Sequence, residues 1–190
     1  MPLTTPTGSA RSPACAGANL RRVYAAWVLA SLTACSPTLD WRETQFEGSG
    51  IVASFPCRPD RYARAVIVAG AKAQMDMLTC AAGGATYALS FFDVADPAAV
   101  TPALADLRAL AASNLGATAP QAAPLEIKGM TANEQSARLT IAGRLPDGAA
   151  VQESVAFFVK GLRIYQATAI GAKLAPEALD TFFASLKFPT

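Results

Sequence analysis

The sequence predicts an α+β fold: a mostly antiparallel sheet of about seven or eight strands with two helices packed on it. Three observations point there. Runs with apolar side chains at every second residue recur between residues 51 and 170, which is the period of a strand with a buried face. Short turns containing Gly or Pro separate most of these runs, and short connections favour antiparallel neighbours. Two segments, near 97–116 and 176–186, switch to helical spacing, and each has to bury its apolar stripe on the sheet.

The elements follow in order. Residues 40–46, which carry Trp41, read as an edge strand, and Glu47-Gly48-Ser49-Gly50 as a turn. Ile51, Ala53 and Phe55 share one face of a strand that stops at Pro56, because proline cannot donate to a ladder. Residues 61–68 turn through Ala69-Gly70-Ala71 into 73–81, with Met75 and Met77 on one side and Leu78 and Cys80 on the other. Gly83-Gly84 turns into 86–94, the strongest strand, where Tyr87, Leu89 and Phe91 face one way. Asp96 is placed to cap a helix that begins at Pro97. Val100, Leu104, Leu107, Ala111 and Leu115 form its stripe, and Gly116 ends it.

Residues 117–124 read as a Pro/Ala loop, with strands returning at 125–128 and 136–144. Ala137, Leu139 and Ile141 share a face of the second. Pro146-Asp147-Gly148 signals a hairpin into 149–159, where Val151, Val155, Phe157 and Val159 face one way. Lys160-Gly161 turns into 162–170. Pro176 opens a final helix striped by Leu179, Phe182, Phe183 and Leu186.

The chain has 190 residues, 52% apolar and 16% charged. That is room for one domain plus a leader, and it excludes disorder throughout. No apolar run reaches the roughly 18 residues of a spanning helix. The absence of histidine removes the commonest general base and metal ligand.

Residues 1–34 differ in kind from the rest. The first 19 are rich in Pro, Thr, Ser, Gly and Ala, Arg21 and Arg22 follow, and a twelve-residue apolar stretch then leads to Cys35. A basic region, a short apolar region and small residues make the order of an export signal. As a helix the stretch covers only about 18 Å, against a hydrocarbon core of about 30 Å. Leu32-Thr33-Ala34-Cys35 resembles the lipobox of bacterial lipoprotein signal peptides. The resemblance implies that Cys35 takes a diacylglycerol thioether and becomes the new N-terminus. It also implies that Ser36 directs sorting to the outer membrane of a Gram-negative cell. The expected organisation is a cleaved leader (1–34), a lipidated tether (35–40) and one globular domain (41–190). The competing reading makes Cys35 an ordinary small residue in a buried segment.

Removing the leader takes away Arg11, Arg21 and Arg22 and no acid, leaving 13 basic against 14 acidic residues. The basic character therefore belongs to the precursor, and a nucleic-acid partner loses its electrostatic footing. Of the four cysteines, Cys15 goes with the leader and Cys35 takes lipid, so Cys57 and Cys80 remain. In an oxidising compartment this pair is expected to form a disulfide, worth about 3 kcal/mol. The alternative is two separate buried thiols. Their spacing is not C-x-x-C, and no His or third Cys completes a metal site.

Phe55-Pro56, Tyr87-Ala88-Leu89-Ser90-Phe91, Ile164-Tyr165-Gln166 and the closing run 182–188 together resemble PsbP-like α/β sandwich domains over about 51–188. The resemblance implies a fold and carries no catalytic motif.

Other candidate chemistry is sparse. Catalytic and phosphate-binding templates are absent. Asp93 and Asp96 sit at a strand-to-helix junction and read either as paired carboxylates of a hydrolase or as a cap and a solvated turn. Arg58, Arg61 and Arg64 fall within seven positions, a candidate patch for an anionic ligand or envelope polymer, or else a solvated loop. Trp41 is a candidate for the bilayer interface, a partner's groove or the core. The sequence reading is thus an exported, lipid-anchored envelope protein that binds or scaffolds, with no cofactor and no metal. Its partners are membrane lipid through acylated Cys35 and an envelope protein or anionic ligand. A carboxylate-dependent hydrolase and an assembly factor for an envelope complex are the alternatives.

Overall fold

A computed structural model describes residues 39–117 and 119–189; the expected leader (1–34) and Cys35 lie outside the described residues. In chain order the elements are β1 (Arg42–Gln45), β2 (Val52–Phe55), β3 (Asp60–Val68), β4 (Ala71–Ala82) and β5 (Ala85–Asp93), then α1 (Val100–Asn114). There follow β6 (Gln121–Ala123), β7 (Ala137–Arg144), β8 (Ala150–Lys160), β9 (Arg163–Gly171) and α2 (Pro176–Ala184). The predicted α+β architecture holds. Seven strands form one sheet in the order β3-β4-β5-β9-β8-β7-β6, and β1 and β2 form a separate two-stranded sheet. Every paired neighbour is antiparallel.

The helices begin and end where the local chemistry directs. The Asp96 carboxylate accepts a hydrogen bond from the Ala98 amide at 2.8 Å, which opens a 3-10 turn at Pro97–Ala99 that leads into α1. Gly116 ends α1 at φ 62°, the left-handed conformation that glycine adopts without a Cβ clash. Pro176 starts α2, where its missing N–H is no loss.

One expected strand is displaced. The pairing that was anticipated at 125–128 occurs instead at Gln121–Ala123, with Ala122 opposite Leu139. Ile127 is buried, but its segment joins no ladder beyond a single bridge between Lys128 and Lys187. The apolar alternation at Leu125 and Ile127 reports side-chain burial without backbone pairing. Leu39 and Asp40, expected to belong to the tether, are engaged with the domain: Leu39 packs against the core and the Asp40 amide donates to the Pro56 carbonyl at 2.8 Å.

Both faces of the sheet are covered. On one, Phe55, Tyr87, Phe158, Tyr165, Phe182 and Phe188 belong to a core closed by α2 and β2. The rings meet mostly edge to face, as Tyr87 and Phe182 do at 5.3 Å, while Phe158 and Tyr165 stack at 5.1 Å. On the other face α1 brings Leu104, Leu107 and Ala111 onto Leu139, Ile141, Val155 and Phe157. Each buried large apolar side chain contributes roughly 1.5–3 kcal/mol.

The end of α1 comes very close to β7. The Arg144 amide donates to the Leu115 carbonyl at 3.0 Å. A Cβ on Gly143 would stand 2.2 Å from that same oxygen, so only glycine fits there. Gly143→Ala is expected to destabilise the fold by roughly 1–3 kcal/mol, read from urea unfolding midpoints. An unchanged midpoint would show that α1 docks elsewhere.

Candidate ligand cavity between the sheet and the first helix

Beyond the edge of β5, β3 and β4 continue as a two-stranded arm. The β4–β5 ladder ends at Asp76 opposite Phe91, whereas β3 and β4 stay paired out to Val68 and Ala71. Val68 and Met75 belong to the α1-side core, so the arm turns its apolar face toward the helix. At its tip the Ala69 amide donates to the Asp106 carboxylate of α1 at 3.0 Å. Between the arm, α1 and the sheet lies a cavity of about 440 Å³, lined among others by Val66, Met75, Leu107, Ala111, Glu153 and Ile170.

Glu153 is the notable wall. Strand alternation puts it on the same face of β8 as Val151, Val155, Phe157 and Val159. It is 7% exposed, the one charged residue among the buried side chains of the described residues. No hydrogen bond or ion pair to its carboxyl group is found among the described residues. Burial disfavours the ionised form, and it pushes Glu153 up to about 7. Along the same face of β9 lie Gln166 and Thr168, with the Gln166 side-chain amide donating to the Thr168 hydroxyl at 3.2 Å. Apolar walls with a few polar groups are the usual make-up of a small-molecule site. Sequence reading passed over Glu153. Its signal was a carboxylate at a core-facing step of an otherwise apolar alternating run.

The candidates read from the sequence lie elsewhere, with one exception. Cys57 and Cys80 are joined, with their Cα atoms 6.0 Å apart, tying the segment after β2 to β4. The three arginines do not converge. Arg58 is exposed ahead of β3. Pleating then sends Arg61 and Arg64 to opposite faces. Arg61 lies 4.5 Å over the Phe46 ring and pairs with Asp76 at 2.9 Å, while Arg64 borders the cavity. Trp41 is half-buried, edge-on to Tyr87 at 5.9 Å. Cys35 lies outside the described residues.

The two aspartates that suggested paired carboxylates each have a fixed partner. Asp96 caps the turn before α1. Asp93 receives two hydrogen bonds from Arg163, at 2.7 and 2.6 Å, and the guanidinium holds its carboxyl below the ordinary range. Arg163 also donates to the Gly48 carbonyl, and the Tyr165 hydroxyl donates to the Ser49 carbonyl at 2.6 Å. Burial pushes that hydroxyl up to about 12. This network pins the loop between β1 and β2 to the sheet.

Two outcomes follow from these placements. Because Glu153 binds its proton more tightly folded than unfolded, its contribution is fully present below about 4.5 and is lost as pH rises through about 7. The loss amounts to up to about 3 kcal/mol. Comparing urea unfolding of wild type and Glu153→Gln across that window should show the variant gaining relative stability as pH rises. A constant difference would mean that the carboxyl is solvated. Cys57→Ser/Cys80→Ser should lower stability by about 2–4 kcal/mol, and reductant should bring wild type to the same level. The chain matches no family model, no curated protein and no solved structure, so the site is read from its own residues.

Proposed function

We propose that the protein is exported, anchored in the cell envelope through lipid on Cys35, and binds a small molecule without transforming it. The observation that carries the binding role is the cavity under α1, where apolar walls surround one buried, unpartnered carboxylate at Glu153. A paired-carboxylate hydrolase needs two carboxyl groups facing one cleft, about 5–9 Å apart. The engagement of Asp93 with Arg163 and of Asp96 with the helix start therefore favours binding over hydrolysis.

The anchoring half of the reading rests on the order of Arg21, Arg22, the short apolar run and Cys35. The Cys57–Cys80 bond suits an oxidising compartment. A second reading, as an assembly factor, draws on β3. It is one of the two edge strands of the main sheet and carries Tyr62 and Ile67, 52% and 68% exposed; such edges accept strands from partners.

Metabolic labelling with a fatty acid tests the anchor. The wild-type chain should take label and fractionate with membranes. Cys35→Ser should take none and keep the precursor length. Native protein that still begins at Met1 and carries no acyl group would contradict the reading.

A further inference from the structure

We infer that the cavity between α1 and the sheet takes an organic amine, an ammonium group attached to a short apolar chain, with the ammonium set against Glu153. The inference deepens the binding role proposed above and rests on it.

Glu153 lacks the partners that a buried carboxylate requires. A carboxylate on a residue only 7% exposed normally has a cation or several N–H donors around it. Here no described side chain or backbone amide supplies one. Its raised affinity for a proton has burial as its single cause, with no charged neighbour acting on it. The groups packed around it explain why. Its β7 partner in the ladder is Ile141 and its β9 partner is Ile170. From α1 the lining brings Leu107, Ala111 and the neutral Asn114. The other charged side chain in the lining is Arg64 of β3, which is exposed.

An ammonium ion has three donors and no acceptor, so it complements a carboxylate that has received none. The walls supplied by Val66, Val68, Met75 and Ile170 suit an aliphatic chain, since burying each methylene is favourable by about 0.8 kcal/mol. The cavity, at about 440 Å³, lies within the usual range of small-molecule sites, roughly 300–1,000 Å³. A carboxylate ligand could instead be drawn to Arg64, and an alcohol needs neither charge. Comparing the three chemistries therefore isolates the role of Glu153.

The test titrates the full chain with n-hexylamine, 1-hexanol and hexanoate by calorimetry, with thermal shift as a second readout, at about pH 5.5 and pH 8. Hexylamine should bind tightest at pH 8 and weaken by about tenfold or more at pH 5.5, as Glu153 takes up its proton. Glu153→Gln should cost hexylamine about tenfold or more in affinity and leave hexanol unchanged. Ala111→Leu, which fills the cavity while keeping the carboxylate, should weaken hexylamine and hexanol alike, and it serves if Glu153→Gln does not fold. Binding of hexanol or hexanoate as tight as that of hexylamine would overturn the amine assignment and leave the cavity a binding site. No binding by any of the three would overturn the cavity as well. Hexylamine binding that Glu153→Gln and Ala111→Leu both leave intact would place the amine elsewhere and contradict the inference.

Discussion

A sheet covered on both faces imposes one demand on its central strands: every side chain on them has to be apolar, small or supplied with a partner. β5, β8 and β9 meet it almost throughout. Toward α2 they present Tyr87, Leu89, Phe158, Tyr165, Ala167 and Ala169, and toward α1 they present Phe92, Val155, Phe157 and Ile164. The buried polar exceptions are short hydroxyl side chains and Glu153. A serine or threonine can satisfy itself on a nearby group, as Thr168 does with Gln166. A carboxylate at a core position has no such escape. Its free energy is tied to protonation or to whatever enters the cavity beside it.

The two faces are built to different tolerances. Toward α2, aromatic rings from β2, β5, β8, β9 and the helix meet at centroid distances of 5.1–6.1 Å, and the Cys57–Cys80 bond crosses the same region. Toward α1 the helix covers the β7–β8 side, while the β3–β4 arm covers the other side. The arm is paired only within itself there and is held at its tip by one hydrogen bond between Ala69 and Asp106. Elements with few partners are the least stable part of a fold, so the arm is the less constrained wall of the cavity. Aromatic packing closes one face, while on the other the arm is held by Val68 and Met75 in the core and by the Ala69–Asp106 bond at its tip.

Most of this architecture was legible in the residues. Alternation located β2, β3, β4, β5, β7, β8 and β9, and helical spacing with Asp96, Gly116 and Pro176 as punctuation located both helices. What escaped were features that depend on the third dimension. Leu125 and Ile127 alternate like a strand because they are steps into the α2-side core, while the backbone pairing falls on the Gln and Ala residues just before them. The close density of Arg58, Arg61 and Arg64 in sequence suggested one patch, but the pleat of β3 divides it. Gly143 carries no local signal, because its requirement comes from the Leu115 carbonyl brought onto it by α1. Glu153 was visible as an interruption in the face formed by Val151, Val155, Phe157 and Val159. Nothing nearby in the chain indicated that an arm and a helix would roof it over.

The account rests on Glu153 being buried with no hydrogen-bond or ion-pair partner among the described residues, and its own titration tests that most directly. Carbon-13 labelling of the glutamate carboxyls, with Glu153→Gln to assign the resonance, gives the protonation curve of this single group in the folded chain. The account predicts a midpoint near 7 that falls when an amine occupies the cavity. A midpoint near the ordinary 4.5, unmoved by amines, would contradict it.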